Sequence, residues 1–266
     1  MANVHEPALD LALESNSVAA IRTRVLAGRV TWTGPLVMAA ARLVLFLAAQ
    51  GAVALLFLAQ HRASAWHQAT LWWSVCFTGS DVVCLIGLHY FTRREGIRIR
   101  DLLGPIHMRR GHDIWLGLGF YLLVFPFFMA GGYLSQLVFY GSRLNPGNYI
   151  LHAHALPVWA VVYSFAVWWI VNSATEDTTY QGYVLPRLEA LTGRTWAAVA
   201  IVCFFFTLQH CAIGFLLDWR SILSRFCAFL PGCLAVTLIY VRTRRLAPLI
   251  FAHWPMDFGA VFMTTF

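Results

Sequence analysis

The sequence contains no lysine: every one of its 19 basic residues is arginine, against 12 acidic residues, for a net charge of +7. Charge of any kind is scarce, at 12% of 266 residues, while 59% are apolar. A soluble globule of this length would need far more polar surface to cover itself. Disorder is excluded by the wealth of Leu, Phe, Val and Trp, and collagen-like, coiled-coil and disulfide-scaffold classes fail on composition. Close cysteine pairs are missing too. Cys76, Cys84, Cys203, Cys211, Cys227 and Cys233 all lie in or beside apolar segments, where a thiol serves as a small packing residue. The arginines sit in short connectors between apolar runs, a topology signal rather than a nucleic-acid surface, so no nucleic-acid partner is expected.

What remains is an all-α, polytopic membrane helix bundle. Seven runs approach the length of about 20 apolar residues that a span needs: 36–60, 70–91, 113–140, 156–178, 196–217, 222–241 and 246–266. Backbone groups cannot stay unpaired in lipid, so each must be a helix. Pro126, Pro231 and Pro255 are expected to kink theirs, and Gly117, Gly119, Gly131 and Gly132 suit close helix approach. Residues 1–34 hold no run long enough for a span or a signal peptide. Val18, Ile21 and Val25 share a helical face flanked by Arg22, Arg24 and Arg29, which fits a helix on an anionic membrane surface or an unstructured tail.

With the N-terminus inside, inner segments carry fourteen arginines and outer connectors four, Arg62, Arg143, Arg220 and Arg225. Arg42, in the first run, is expected to snorkel to the inner end. The bias predicts a cytoplasmic N-terminus and an outer C-terminus, in the plasma membrane.

Ionisable groups at bilayer depth cost several kcal/mol and call for a reason. Glu176 and Asp177 follow a Trp, Val and Ile run in Asn172-Ser173-Ala174-Thr175-Glu176-Asp177-Thr178-Thr179-Tyr180-Gln181, where an interfacial helix end would solvate them. His210 follows Phe206 by one helical turn. His253 and Asp257 are four apart and share a face. Asp81 lies mid-span, with Arg42 and His89 as candidate partners, as a relay carboxylate or a buried structural acid. His152 and His154 make at most a weak external metal site. Together the first three groups could converge on one polar pocket within the membrane.

In these motifs the chain resembles the CPBP family of CAAX-processing and bacteriocin-processing membrane proteases, also called the Abi family. The family pattern is Glu-Glu-x-x-x-Arg, then Phe-x-x-x-His, then a His followed by Asn or Asp. Glu176 through Gln181, Phe206 with His210, and His253 with Asp257 stand at these positions, within residues 157–266. The apolar runs divide off an N-terminal segment (1–34), a tail or surface helix, and three front spans (35–156), and the resemblance implies a four-helix catalytic core (157–266). Two departures stand out: the second acid is Asp177, and Gln181 replaces the arginine.

The resemblance implies hydrolysis of a peptide bond in a membrane-associated substrate, prenylated or carrying a leader peptide. Glu176 would be the general base toward water, His210 would orient that water, His253 would donate to the oxyanion, and Asp257 would orient His253. Glu176, His210 and His253 would also supply a zinc set, as in a metalloprotease, although no His-Glu-x-x-His motif is present. A metal-free glutamate mechanism fits the same residues and is preferred. A catalytically weak family member acting as a binding or immunity protein is the second reading, favoured by Asp177 and Gln181. The third is a proton-coupled transporter using Asp81 and the buried histidines, against which stands the lack of an inverted repeat. Depth presents a conflict: Glu176 ends its run, whereas His210 lies about 20 Å into the next one, so a later start or a tilt of that helix is required.

Overall fold

A computed structural model describes residues 16–104, 111–141 and 156–265. The described residues contain helices and no strand. In chain order these are α1 (Val18–Leu26), α2 (Thr33–Ala59), α3 (Ala65–Thr70), α4 (Trp73–Glu95), α5 (Arg100–Leu103) and α6 (His112–Tyr140). They continue with α7 (Val158–Thr192), α8 (Thr195–Cys211), α9 (Trp219–Thr243) and α10 (Ala247–Thr265). Five of them, α2, α4, α6, α7 and α9, are long and apolar enough to cross a membrane; α8 is apolar but has 17 residues. Large apolar side chains such as Leu55, Ile86, Leu122 and Val138 face outward. An outer surface of that kind needs lipid against it. The protein is an integral membrane helix bundle.

Local sequence sets the helix ends. Ser17 Oγ accepts from the Ala20 amide at the start of α1, and the Asp218 carboxylate accepts from Arg220 and Ser221 amides at the start of α9. Gly193 adopts φ +66° and closes α7, a left-handed conformation that glycine reaches without steric cost. Close approach is realised at two of the expected glycines. A Cβ on Gly117 would lie 2.8 Å from the Pro248 carbonyl, and one on Gly131 would collide with that of Ala228, so α6 packs tightly on α10 and α9. Gly119 faces open space instead.

The fourth run does not end near 178. It continues to Thr192, interrupted by π-helical segments at Ser164–Trp168 and Thr178–Val184. Thr175 through Glu189 are buried without a break, so this part of α7 runs through the bundle centre rather than along an interface. Tyr180, Val184 and Leu188 of α7 pack with Val202 and Phe206 of α8 and Cys233 and Tyr240 of α9 in the main apolar core.

Polar contacts tie residues from several segments together at one end of the bundle. Arg187 binds Glu95 and Asn16, Arg244 binds Glu189 at 2.7 Å, and Arg245 binds Asp113. The Trp66 indole donates to the Phe215 carbonyl at 2.8 Å, joining the connectors at the opposite end. The segments grouped as inner by the arginine count therefore do share an end. Helix α1 is not an isolated surface helix, since Ile21 is fully buried and Asn16 donates to the Gly182 carbonyl at 2.9 Å. Residues 1–15, His152 and His154 lie outside the described residues.

Candidate active site

The three motif segments meet. Glu176 Oε1 stands 3.8 Å from His210 Nε2 and 3.7 Å from His253 Nε2. The depth conflict resolves through α7 rather than through α8, which starts at Thr195 as the sequence suggests. Because α7 extends beyond 178, Glu176 lies 17 residues before Gly193 and His210 lies 17 residues after it. An antiparallel helix pair with equal arms brings both to one level, about 25 Å from the turn. A similar match places His253: a Cβ on Gly182 would lie 2.9 Å from Leu246 Cδ2, Glu176 lies six residues before the one, and His253 seven after the other. The acids do not sit at a solvated helix end, for Glu176 is 3% exposed and Asp177 is fully buried.

Hydrogen-bond chemistry fixes the roles of the ring nitrogens. His210 Nδ1 is 2.7 Å from the Phe206 carbonyl oxygen, which can only accept. A proton therefore sits on Nδ1, and in the neutral ring Nε2 turns its lone pair toward Glu176. Phe206 thus supplies the backbone anchor, and its ring stacks on Tyr180 at 5.0 Å. His253 is surrounded by acceptors. Nδ1 faces Asp177 Oδ2 at 3.3 Å, and Nε2 faces Asp257 Oδ1 at 3.5 Å as well as Glu176. A ring carrying protons on both nitrogens satisfies this surround. Asp257 is held in turn, accepting from Asn172 Nδ2 at 2.9 Å and Ser173 Oγ at 2.7 Å.

One expected residue stays apart. Gln181 is fully buried and donates to Thr237 Oγ1 at 3.2 Å, without contact to either acid. The positive charge at Glu176 comes from α2. Arg42 does not snorkel: its side chain is fully buried, pairing with Asp81 and lying 3.2 Å from Glu176 Oε2. It also donates to Gln209 Oε1 and Asn172 Oδ1, each at 2.7 Å. Asp81 accordingly takes Arg42 as partner, and His89 points outward. Arg42, Asn172, Ser173 and Gln209 were not foreseen as site residues. The signal was present for Arg42, a cation inside an apolar run, with Asp81 in another.

Several buried oxygens keep spare accepting capacity. Glu176 Oε1, Asp177 Oδ1 and Asp81 Oδ2 have no hydrogen-bond partner among the described residues. A cavity of about 10 Å³, room for one water, opens between His210, His253 and Asp177, with Val124, Phe128 and Met256 as apolar walls.

Residues 157–259 match the family described as Type II CAAX prenyl endopeptidase Rce1-like. No curated protein and no solved structure matches the chain. The match contains Glu176, His210, His253 and Asp257, whereas Arg42 and Asp81 lie in front of it.

Zinc fits the geometry poorly. Donors bound to one tetrahedral zinc at about 2.1 Å stand about 3.4 Å apart, closer than the Glu176 to histidine separations given above. No group of three or more His, Cys, Asp or Glu among the described residues has the spacing to hold a metal ion.

Proposed function

We propose that this protein is an intramembrane endopeptidase that hydrolyses a peptide bond in a membrane-associated peptide or protein, with water activated by Glu176. The observation that carries the proposal is the convergence of Glu176 Oε1 with Nε2 of His210 and of His253, with Glu176 and His210 buried and the His253 side chain only 13% exposed. The similarity to the Rce1-like family of CAAX prenyl endopeptidases supports a CAAX-type substrate, a prenylated C-terminal sequence.

In this reading the water lies between Glu176 Oε1 and the lone pair of His210 Nε2. Glu176 accepts one of its protons as the oxygen attacks the scissile carbonyl carbon. His253 donates from Nε2 to the oxyanion, held in place by Asp177 and Asp257. Glu176 then passes its proton to the leaving amine nitrogen as the C–N bond breaks. Asp257 needs no proton of its own, because it accepts from Asn172 and Ser173 while orienting His253. The two sequence departures are compatible with this scheme: Asp177 reaches His253 despite its shorter side chain, and Arg42 supplies the cation that position 181 lacks. The shared end bearing Arg187, Arg244 and Arg245 is assigned to the cytoplasm by the excess of arginine there.

The test is cleavage of a prenylated CAAX peptide by the purified full-length protein in lipid nanodiscs, read by mass spectrometry. Wild type should release the C-terminal fragment, and Glu176→Ala and His210→Ala should not. Equal behaviour of all three would refute the proposal.

A further inference from the structure

Arg42 belongs to α2, outside the Rce1-like match, yet its guanidinium occupies the centre of the site. Three of its acceptors border the reacting groups. Gln209 directly precedes His210 on α8. Asn172 accepts from Arg42 and donates to Asp257, which faces His253. Glu176 presents Oε2 to Arg42, and this leaves Oε1 for the two imidazoles. One rigid, planar fork thus meets α4, α7 and α8 directly and α10 through Asn172. Ionic balance with Asp81 alone would not require the contacts to Asn172, Gln209 and Glu176.

We infer that Arg42 is a positioning residue: by engaging Glu176 Oε2 and Asn172, it aims Oε1 at His210 and His253, so the front half of the chain completes the site. This inference rests on the hydrolytic reading for its kinetic consequence, though not for its structural one.

The experiment compares wild type, Arg42→Lys and the double variant Arg42→Gln with Asp81→Asn, all full-length in nanodiscs. The double variant removes one charge of each sign, so a purely ion-pairing role predicts that it works normally. Positioning instead predicts that kcat falls about 100-fold in both proteins with KM little changed, as for a misplaced catalytic group. Arg42→Lys keeps the charge and loses the fork, which guards against a double variant that does not fold. A second readout needs no turnover: the infrared band of the Glu176 carboxylate, obtained by subtracting the spectrum of the matching Glu176→Gln protein. It should shift in both variants. A double variant with kcat within about threefold of wild type, or an unshifted band in both proteins, would overturn the inference. If wild type cleaves nothing, the hydrolytic proposal fails while the infrared comparison still decides the role of Arg42.

Discussion

Two fully buried arginines organise this molecule, and they differ in what they leave over. Arg187 is matched to its surroundings. It binds both oxygens of Glu95, with 2.7 Å at the shortest, and donates to Asn16 Oδ1 and the carbonyls of Gly182 and Tyr183. Its guanidinium also lies over the Tyr183 ring at 4.1 Å. Both Glu95 oxygens are partnered, which is the pattern of a structural staple. Arg42 sits among Asp81, Glu176, Asp177 and Asp257, where acids outnumber bases and three carboxylate oxygens lack a hydrogen-bond partner among the described residues. A bundle selected for stability alone has no use for that surplus. The satisfied cluster holds α1, α4 and α7 together, and the unsatisfied one is where chemistry can occur.

This contrast can be broken by mutation. Glu176→Gln carries the largest predicted effect on activity: hydrolysis falls about 10³-fold, within the range for loss of a general base. The melting temperature of that variant holds or rises, because a surplus buried acid is gone; a large drop would reclassify the cluster as structural. Next, His253→Gln lowers kcat about 100-fold through loss of the oxyanion donor, checked by single-turnover cleavage at saturating substrate. Arg187→Leu reverses the profile. It leaves Glu95 buried without its main partner and destabilises by about 3–5 kcal/mol, yet activity per folded molecule is retained. Denaturant-induced unfolding beside active-site titration separates the two quantities. Gln181→Arg should have the smallest effect on catalysis. Since Arg42 already serves Glu176, an arginine at 181 brings no gain in rate, and a pronounced gain would show that position 181 limits the site.

The sequence carried the helical class, the three motifs and the grouping of segments by end, because each rests on local composition or on i, i+4 spacing. His253 and Asp257 needed nothing more. The extension of α7 past 178 was hidden by its polar residues. Asn172, Ser173 and Gln181 read as an interface because their partners, Asp257 and Thr237, lie 56 to 85 residues away. Arg42 was misjudged for the same reason. Proximity to a helix end favours snorkelling, but acceptors on α4, α7 and α8 met the desolvation cost locally, and no pattern within α2 reveals them.

In the proposed hydrolysis Glu176 and His210 act as one unit on one water. A double-mutant cycle on cleavage of the prenylated peptide, using Glu176→Gln, His210→Ala and the two combined, reads that coupling. Residues that work as a unit are grossly non-additive. Each single variant should lose nearly all activity, and the combination should be no slower than either. Independent, multiplicative losses, or cleavage by all four proteins at the same rate, would contradict it.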